Sequence, residues 1–333
     1  MPTQIVAEIA QGFEGRPEQA MLMIKAAAAS KADAVKFQLV IADELSTPDY
    51  EHYELFTTLE MDTAVWQDMK TSCDQLGVEL VVDIFGPASL AMAESLSLKT
   101  VKIHATDIAN VPLLRALAAS SIGSILLGAG GATRTEIANA LDILQSKRVV
   151  LLHGFQGYPT AVDENQMSRI GVYQDLIAGR SGVEVGLSDH ADPHTPLHVT
   201  LSAFALASGI TVIEKHLTLG VCMELEDHEA AMNPDEFRHF VMAVKELEAS
   251  VGERSDAEDF GMSPKEQNYR LKTRRHVVAA RDLKVGDRIG DEDTLLKRTQ
   301  SPHHISEVAE VVGKTVKQAI TANTAIRPQD LDQ

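Results

Sequence analysis

Short apolar runs rich in β-branched residues recur at regular intervals through residues 1–251, and longer Ala- and Leu-rich stretches with helical periodicity separate them. Apolar residues fill nearly every position of each run, which is typical of strands buried on both faces of a parallel sheet. Eight successive strand–helix units predict a (β/α)8, or TIM, barrel. The strand candidates are IVAEI (5–9), AVKFQ (34–38), VELVVDI (78–84), TVKIHA (100–105), SILLGA (124–129), VVLLHG (149–154), VEVGLS (183–188) and TVIEKH (211–216).

A doubly wound open sheet is the alternative fold for a chain that alternates strands and helices. Dinucleotide-binding versions of that fold carry GxGxxG directly after a strand, and the sequence contains no such motif. The nearest stretch, GAGGAT at 128–133, follows the fifth strand candidate with different spacing and is a candidate phosphate-binding turn. The closed barrel is therefore the preferred fold.

The pattern changes after residue 251. Residues 252–268 are polar, acidic and punctuated by Gly and Pro, which predicts a linker. Short strands and turns follow, as in HVVAARDLKVGDRI and VVGKTVKQAI, and they predict a small β-rich domain over residues 269–333. We therefore expect a barrel domain, a linker and a small β domain, in that order.

Composition narrows the functional classes. The 333 residues carry a net charge of −18, which argues against a nucleic-acid partner because no basic surplus is available to neutralise phosphates. The sequence shows neither a membrane-spanning apolar run nor a basic segment followed by an apolar one at the N-terminus, so neither a membrane span nor a signal peptide is expected. Two distant cysteines, Cys73 and Cys222, offer no disulfide framework, and a reducing cytoplasm is the expected location.

Polar side chains follow or end almost every predicted strand. In a barrel of this type the C-terminal ends of the strands form the active-site face, so these side chains are expected to meet at one mouth. The candidates are Glu8, Lys36, Gln38, Asp83, Lys102, His104, His153, Ser188, Asp189, His190, Glu214, Lys215 and His216.

Two histidines end adjacent strand candidates, His190 and His216. Taken singly, each could be a hydrogen-bonded core histidine. Taken together, two neutral imidazoles can bind one divalent ion, and Mn²⁺, Fe²⁺ or Zn²⁺ would suit such a site. Lys36 and Lys102 end buried strands, so we expect them to face an anion rather than solvent, and Glu8 could pair with one of them.

An ordered set of motifs spans nearly the whole chain and resembles the sialic acid synthase family. That family includes N-acetylneuraminate, legionaminate and pseudaminate synthases and related spore coat polysaccharide biosynthesis proteins. The tail, RRHVVAARDLKVGD with LKR and VVGK, is similar to the antifreeze-like (SAF) domain. The barrel motifs are VAEIAQGFEG, ADAVKFQ, LEMDTAVWQDMK, LLHGFQGYP, VGLSDH, VIEKHLTL and EDHEAAMNPDEF.

The resemblance implies an enzyme that condenses phosphoenolpyruvate with an N-acyl-aminosugar and releases phosphate. It also implies a divalent metal cofactor, with Mn²⁺ as the first candidate. It implies three catalytic residues, Glu8, His190 and His216, of which the two histidines bind the metal and Glu8 lies between metal and sugar. It also implies a domain-swapped homodimer in which Arg298 reaches the partner's barrel. The implied substrate-binding residues are Lys36, Lys102, Thr106, Gly128, Gly130, Gln156, Tyr158, Ser188, Asp227 and Arg298.

The phosphate side departs from the family pattern, whereas the metal side keeps it. Asp83 stands in the segment where the family has Ser-Thr-Pro-Phe, Ala105 replaces a serine, and Gly128 and Ala129 replace Ser-Thr. Either backbone N–H groups of residues 128–131 take over from the lost hydroxyls, or the protein does not use phosphoenolpyruvate. In the second case the alternatives are a divergent barrel aldolase or lyase acting on a sugar acid, and a non-catalytic scaffold.

Overall fold

A computed structural model describes residues 2–154, 156–253, 255–301 and 303–332, and the chain divides into two compact units, Met1–Gly252 and Glu253–Gln333. In the first unit eight parallel strands close into a barrel in chain order, with the last strand paired to the first. The predicted barrel is confirmed and the open sheet is wrong. The strands are β1 (Gln4–Ala10), β2 (Ala34–Gln38), β3 (Glu79–Asp83), β4 (Thr100–Ile103), β5 (Ser124–Gly128), β6 (Arg148–Gly154), β7 (Val183–Asp189) and β8 (Val212–His216).

Helices connect successive strands and surround the barrel. Two short helices in the connection after β2 were not predicted, because four and seven residues are too few to show a helical repeat. Within the described ranges, no helix combines the length and apolar character needed to cross a bilayer. The helices are α1 (Pro17–Ala29), α2 (Ala42–Leu45), α3 (Tyr53–Leu59), α4 (Thr63–Leu76), α5 (Pro87–Ser95), α6 (Val111–Ala119), α7 (Arg134–Ile143), α8 (Arg169–Ile177), α9 (His198–Ala207) and α10 (Pro234–Val251).

Alternation along the strands divides the barrel into an outer and an inner set of side chains. The outer set, which includes Ile5 and Ala7, packs with the helices in the main hydrophobic core. The inner set begins with a small apolar cluster inside the barrel. The next inward side chains, two residues further along the strands, include Glu8, Lys36, Asp83 and Glu214. These polar groups lie at the C-terminal mouth of the barrel. The inner apolar cluster consists of Val6, Ala34, Val81, Leu126, Val150, Leu152 and Val212.

The second unit has its own core. Helix α11 (Pro264–Thr273) precedes two antiparallel strands, β9 (His276–Ala279) and β10 (Thr294–Lys297). The remaining contacts between extended segments are isolated bridges, such as Leu283 with Ile320. Its core side chains are Val277, Ala279, Leu283, Ile289, Ile305, Val311, Val316, Ile320, Ile326 and Leu331.

Helix α11 begins inside the segment predicted as a linker at 252–268. Ser263 Oγ accepts a hydrogen bond from the Glu266 backbone N–H at 3.2 Å, and the Glu266 carboxylate accepts one from the Ser263 N–H at 2.7 Å. Pro264 occupies the first helical turn, where its missing N–H removes no intrahelical bond. The sequence SPKE is thus a capping box that starts a helix, so regular structure begins inside the predicted linker, at Pro264.

Candidate active site

Charged side chains form the floor of the barrel mouth. Lys36, which is 0% exposed, contacts the carboxyl groups of Glu8 and Asp83 and lies 3.8 Å from Glu214. Lys102 Nζ donates to Glu214 Oε1 at 2.5 Å and lies 3.9 Å from Glu8 Oε2. The two predicted lysines therefore face three carboxyl groups of the protein itself.

The pKa values of the two glutamates in the floor are shifted in opposite directions. Burial raises the pKa of Glu8 to about 8, against the opposing effect of Lys36. Burial also pushes the pKa of Glu214 upward, but Lys102 and Lys36 outweigh it and hold that pKa below its usual range. Glu8 is therefore the glutamate of the floor that holds a proton near neutral pH.

The backbone bends directly after Glu8. The pairing of β1 with β2 shifts register between Glu8 and Ala10, and Ala10 has a left-handed φ of 49°. This bend brings the Ala10 N–H to 2.6 Å from Glu8 Oε1, which accepts its hydrogen bond. Residues other than Gly rarely adopt such a conformation, and it is commonly found at functional sites.

The two predicted metal ligands lie side by side at the mouth. The ring centroids of His190 and His216 are 5.2 Å apart, and the Tyr158 ring lies 5.9 and 5.5 Å from them. Burial, with Lys102 nearby, lowers the pKa of His190 to about 4, and burial beside His190 lowers the pKa of His216 well below its usual value. Both imidazoles are neutral at pH 7, which is the form that binds a metal.

The donor set fits an open metal site. Among the described residues, no group of three or more His, Cys, Asp and Glu side chains is arranged to hold a metal ion. A divalent ion at His190 and His216 would take two nitrogen ligands from the chain and its remaining ligands from water and substrate oxygens. Catalytic metal sites leave such positions open for substrate.

A buried ion pair supports the chain on both sides of His190. Lys215 Nζ donates to Asp189 Oδ1 at 3.1 Å and to the Ala191 carbonyl at 3.0 Å. Asp189 Oδ2 accepts a hydrogen bond from Ser202 Oγ of α9 at 2.6 Å. Because Asp189 and Ala191 flank His190, this pair limits the movement of the imidazole relative to the barrel.

A cavity of 260 Å³ lies above the floor and below the histidines, and we call it the reaction cavity. Tyr158 OH donates to the Asp227 carbonyl at 2.5 Å, and the Asp227 carboxylate accepts a hydrogen bond from the Gln11 N–H at 3.0 Å. Burial raises the pKa of Asp227 to about 6. The reaction cavity is lined by Glu8, Ala10, Gln38, Asp83, Lys102, His104, Tyr158, His190, His216 and Asp227.

Ser188 and the two glycines predicted to bind phosphate lie near Glu214 and Ala105. Ser188 Oγ donates to Glu214 Oε1 at 2.6 Å. Ser188, Gly128 and Gly130 line a separate narrow cavity of 20 Å³, which has room for about one water molecule. A Cβ on Gly128 would come within 2.8 Å of the Ala105 backbone nitrogen, so glycine permits this close approach of the loop after β4.

Two further predicted substrate residues of the barrel, Thr106 and Gln156, are not among the lining residues of the reaction cavity, and Arg298 lies in the other unit. Thr106 lines an adjoining cavity and contacts His104 Nδ1 through its hydroxyl at 3.0 Å. Gln156 lies half-buried in the loop after β6. Arg298 belongs to the second unit, where it directly follows β10 and its Nε donates to the Thr273 carbonyl at 3.1 Å.

Glu214 is the floor residue to which sequence reasoning gave no role, although it lies among the strand-end residues. It stands two positions before His216 on β8. Because side chains two apart on a strand point to the same face, that spacing alone places Glu214 on the inner face with the metal ligand. The alternation rule could therefore have identified it.

Comparison with known proteins agrees with this arrangement. Residues 23–256 match the NeuB family, and residues 274–332 match the SAF domain. The chain belongs to the NeuB family. The predicted resemblance, the SAF domain and the prediction of a synthase-like transferase are thereby confirmed. NeuB family membership also supports the predicted reaction class, a condensation that forms sialic-acid-like sugars.

Individual NeuB-type relatives match over most of their length. An N,N'-diacetyllegionaminic acid synthase of Legionella pneumophila is 27% identical, over 97% of this chain and 92% of that protein. The spore coat polysaccharide biosynthesis protein SpsE of Bacillus subtilis is 26% identical over 75% of this chain and 69% of its own. The crystal structure of an N-acetylneuraminic acid synthetase from Leptospira borgpetersenii superposes with a TM-score of 0.73 at 26% identity, covering 81% of this chain and 92% of that one.

Proposed function

We propose that this protein condenses phosphoenolpyruvate with the open-chain aldehyde of an N-acyl-aminosugar to give a nonulosonic acid and phosphate, with a divalent metal, Mn²⁺ foremost, as cofactor. The observation that carries the proposal is the convergence of Glu8, Lys102, His190 and His216 on one 260 Å³ cavity. In the reaction, the enol carbon forms a bond to the aldehyde carbon. Water then adds to the carbon that bears the phosphate ester, and phosphate leaves.

Each group of the reaction cavity has a task in this proposal. A divalent ion at His190 and His216 would act as a Lewis acid on the aldehyde oxygen. Glu8 holds a proton near neutral pH and can donate it to the aldehyde oxygen as that oxygen becomes a hydroxyl. Tyr158 and Asp227, joined by a hydrogen bond, form the wall against which the sugar would be oriented.

Binding of the phosphorylated substrate requires a rearrangement of charge. Lys36 and Lys102 are the cations at the floor, and both already contact carboxylates. An anionic substrate would compete with Asp83 and Glu214 for them. The Ala129 N–H already donates to the Leu152 carbonyl at 3.0 Å, so further backbone donors would come from Gly130 and Gly131, which are less buried.

Asp83 favours a second candidate function. A carboxylate in contact with Lys36 opposes a phosphate group in the same place, whereas a less highly charged 2-oxo acid such as pyruvate would be repelled less. The second candidate is therefore an aldolase or lyase that uses the same barrel. It would join pyruvate to an aldehyde to form a sugar acid, or cleave a sugar acid to release pyruvate. In that reaction Glu8 and the metal site would keep their tasks, and no phosphate would be released.

One assay separates the two candidates. The purified protein is incubated with Mn²⁺, phosphoenolpyruvate and a panel of N-acyl hexosamines, and phosphate release is measured. The proposed function requires release that depends on both sugar and metal and that is lost in His190→Ala but kept in His239→Ala, whose histidine is exposed on α10. Absence of release with every sugar, together with pyruvate formation from a sugar acid, would favour the second candidate.

We also propose a two-fold dimer in which Arg298 of one chain contacts the sugar bound in the partner's barrel. The family resemblance supports this, as does the position of Arg298 in a 610 Å³ cavity of the second unit beside Lys297 and Arg327. Arg298→Ala should raise KM for the sugar and leave KM for the phosphorylated substrate unchanged. Arg288→Ala, an exposed arginine of the same unit, is the control. Wild-type kinetics in the Arg298 variant would contradict the proposal.

A further inference from the structure

A second cavity, of 490 Å³, adjoins the reaction cavity, and we call it the side cavity. The two share Gln38 and His104 as lining residues, so these side chains lie between them. The side cavity is nearly twice as large as the reaction cavity, and its size is that of a complete small-molecule site. It is lined by Gln11, Gln38, Leu45, Ser46, Thr47, Tyr50, Phe56, Phe85, His104 and Thr106.

The walls of the side cavity are neutral and partly aromatic. None of its described lining residues is an Asp, Glu, Lys or Arg. Tyr50 stacks on Phe56 with ring centroids 5.9 Å apart and an interplanar angle of 20°. Phe85 and Leu45 continue this apolar wall. A charged ligand group would find no counter-charge here, whereas an alkyl chain would be removed from water against the aromatic rings.

Ser46, which lines the side cavity, carries a hydroxyl that has no partner among the described residues. The oxygen of this hydroxyl is buried. A buried polar atom without a partner is costly and uncommon in folded proteins. A ligand with a hydrogen-bond acceptor near Ser46 would satisfy this hydroxyl, and an amide carbonyl is such an acceptor that adds no charge.

We propose that the side cavity receives an acylamino substituent of the sugar substrate, with room for an acyl chain longer than acetyl. Its carbonyl oxygen accepts a hydrogen bond from Ser46, and its alkyl part packs on Tyr50 and Phe56. This inference rests on the proposed function, because the sugar must place its aldehyde in the reaction cavity while the substituent extends past Gln38. The side cavity then selects among sugars by their substituents and takes no part in the bond-forming step.

Calorimetric titration of the Mn²⁺-loaded protein with N-acetyl, N-butyryl and N-hexanoyl hexosamines tests the inference. Each methylene that enters the side cavity should tighten binding about fourfold. Tyr50→Ala should abolish most of this dependence on chain length, and Ser46→Ala should weaken all three sugars by a similar factor of about five. Phe204→Ala, which removes an aromatic ring that is 65% exposed on α9, is the matched control and should behave like the wild type.

Steady-state kinetics provides an independent readout. Since the acyl substituent takes no part in the bond-forming step, Tyr50→Ala should raise KM for the long-chain sugar about tenfold and leave kcat unchanged. Affinity that is equal for all chain lengths, a Tyr50 variant indistinguishable from the Phe204 variant, or no binding of any sugar would overturn the inference. Length-dependent binding without phosphate release would support the inference and refute the proposed reaction. Phosphate release without a dependence on chain length would support the proposed reaction and refute the inference.

Discussion

The ion pair beneath the histidines gives a stability prediction that can be worked out from the structure. In Asp189→Asn, Lys215 loses the carboxylate at 3.1 Å and keeps the Ala191 carbonyl at 3.0 Å, while its side chain stays 0% exposed. Removing one partner of a buried pair costs about 3–5 kcal/mol. We therefore expect a loss of 3–5 kcal/mol.

Urea unfolding monitored by tryptophan fluorescence measures this loss in the barrel alone. The chain has one tryptophan, Trp66, and it is buried on α4 against Phe13 and Phe37. Unfolding of the second unit therefore does not contribute a tryptophan signal of its own, which simplifies a two-state analysis.

The control for this measurement is an exposed ion pair. Asp142 and Arg180 lie 2.6 Å apart with side chains that are 65% and 30% exposed. Asp142→Asn should therefore cost less than about 1 kcal/mol. Equal losses in Asp189→Asn and Asp142→Asn would refute the reasoning. Replacing both charges, in Asp189→Leu with Lys215→Met, removes the unpaired ammonium, so the double variant should be more stable than Asp189→Asn. A double variant that is less stable would also refute the reasoning.

Three further predictions concern titration, metal binding and thiol reactivity. Burial raises the pKa of Glu8 from 4.5 to about 8, so the folded metal-free protein holds a proton that the unfolded chain has released. The unfolding free energy of the wild type relative to Glu8→Gln should therefore fall between about pH 5 and pH 8, by up to about 1.4 kcal/mol per pH unit. A difference that does not change with pH would contradict this. Adding Mn²⁺ should raise the Tm of the wild type and of His239→Ala but not that of His216→Ala, and an equal rise in all three would exclude the proposed site. Burial raises the pKa of the Cys73 thiol to about 12, so mass spectrometry after brief iodoacetamide treatment of the native protein should find exposed Cys222 modified and Cys73 intact; rapid labelling of Cys73 would show that α4 opens.

Sequence reasoning succeeded where a local pattern carries the information. The strand–helix alternation predicted the barrel, and the position of His190 and His216 at strand ends placed both at the mouth. It failed where the outcome depends on pairing between strands. The contacts of Lys36 with Glu8 and Asp83 follow from the registers of β2 with its two neighbours, and a single sequence does not state those registers.

The side cavity lay beyond sequence reasoning for a related reason. Its aromatic wall is formed by the connection that contains α2 and α3, whose path depends on tertiary packing. Tyr50 and Phe56 are ordinary aromatic residues in the sequence, and nothing in their spacing indicates that they stack. The hydroxyl of Ser46 likewise becomes informative only when its surroundings are known.

The pairing of β1 with β8 brings side chains of the first and the last strand of the barrel together in the reaction cavity. Glu8 of β1 and His216 of β8 are opposite each other in that pairing, although almost the whole barrel domain separates them along the chain. A ribosome must therefore complete the barrel sequence before Glu8 can meet His216, and contacts between such distant segments form late and slowly. Turnover by this protein thus reports barrel closure itself, and any partly folded or truncated form that lacks the last strand is silent in an activity assay.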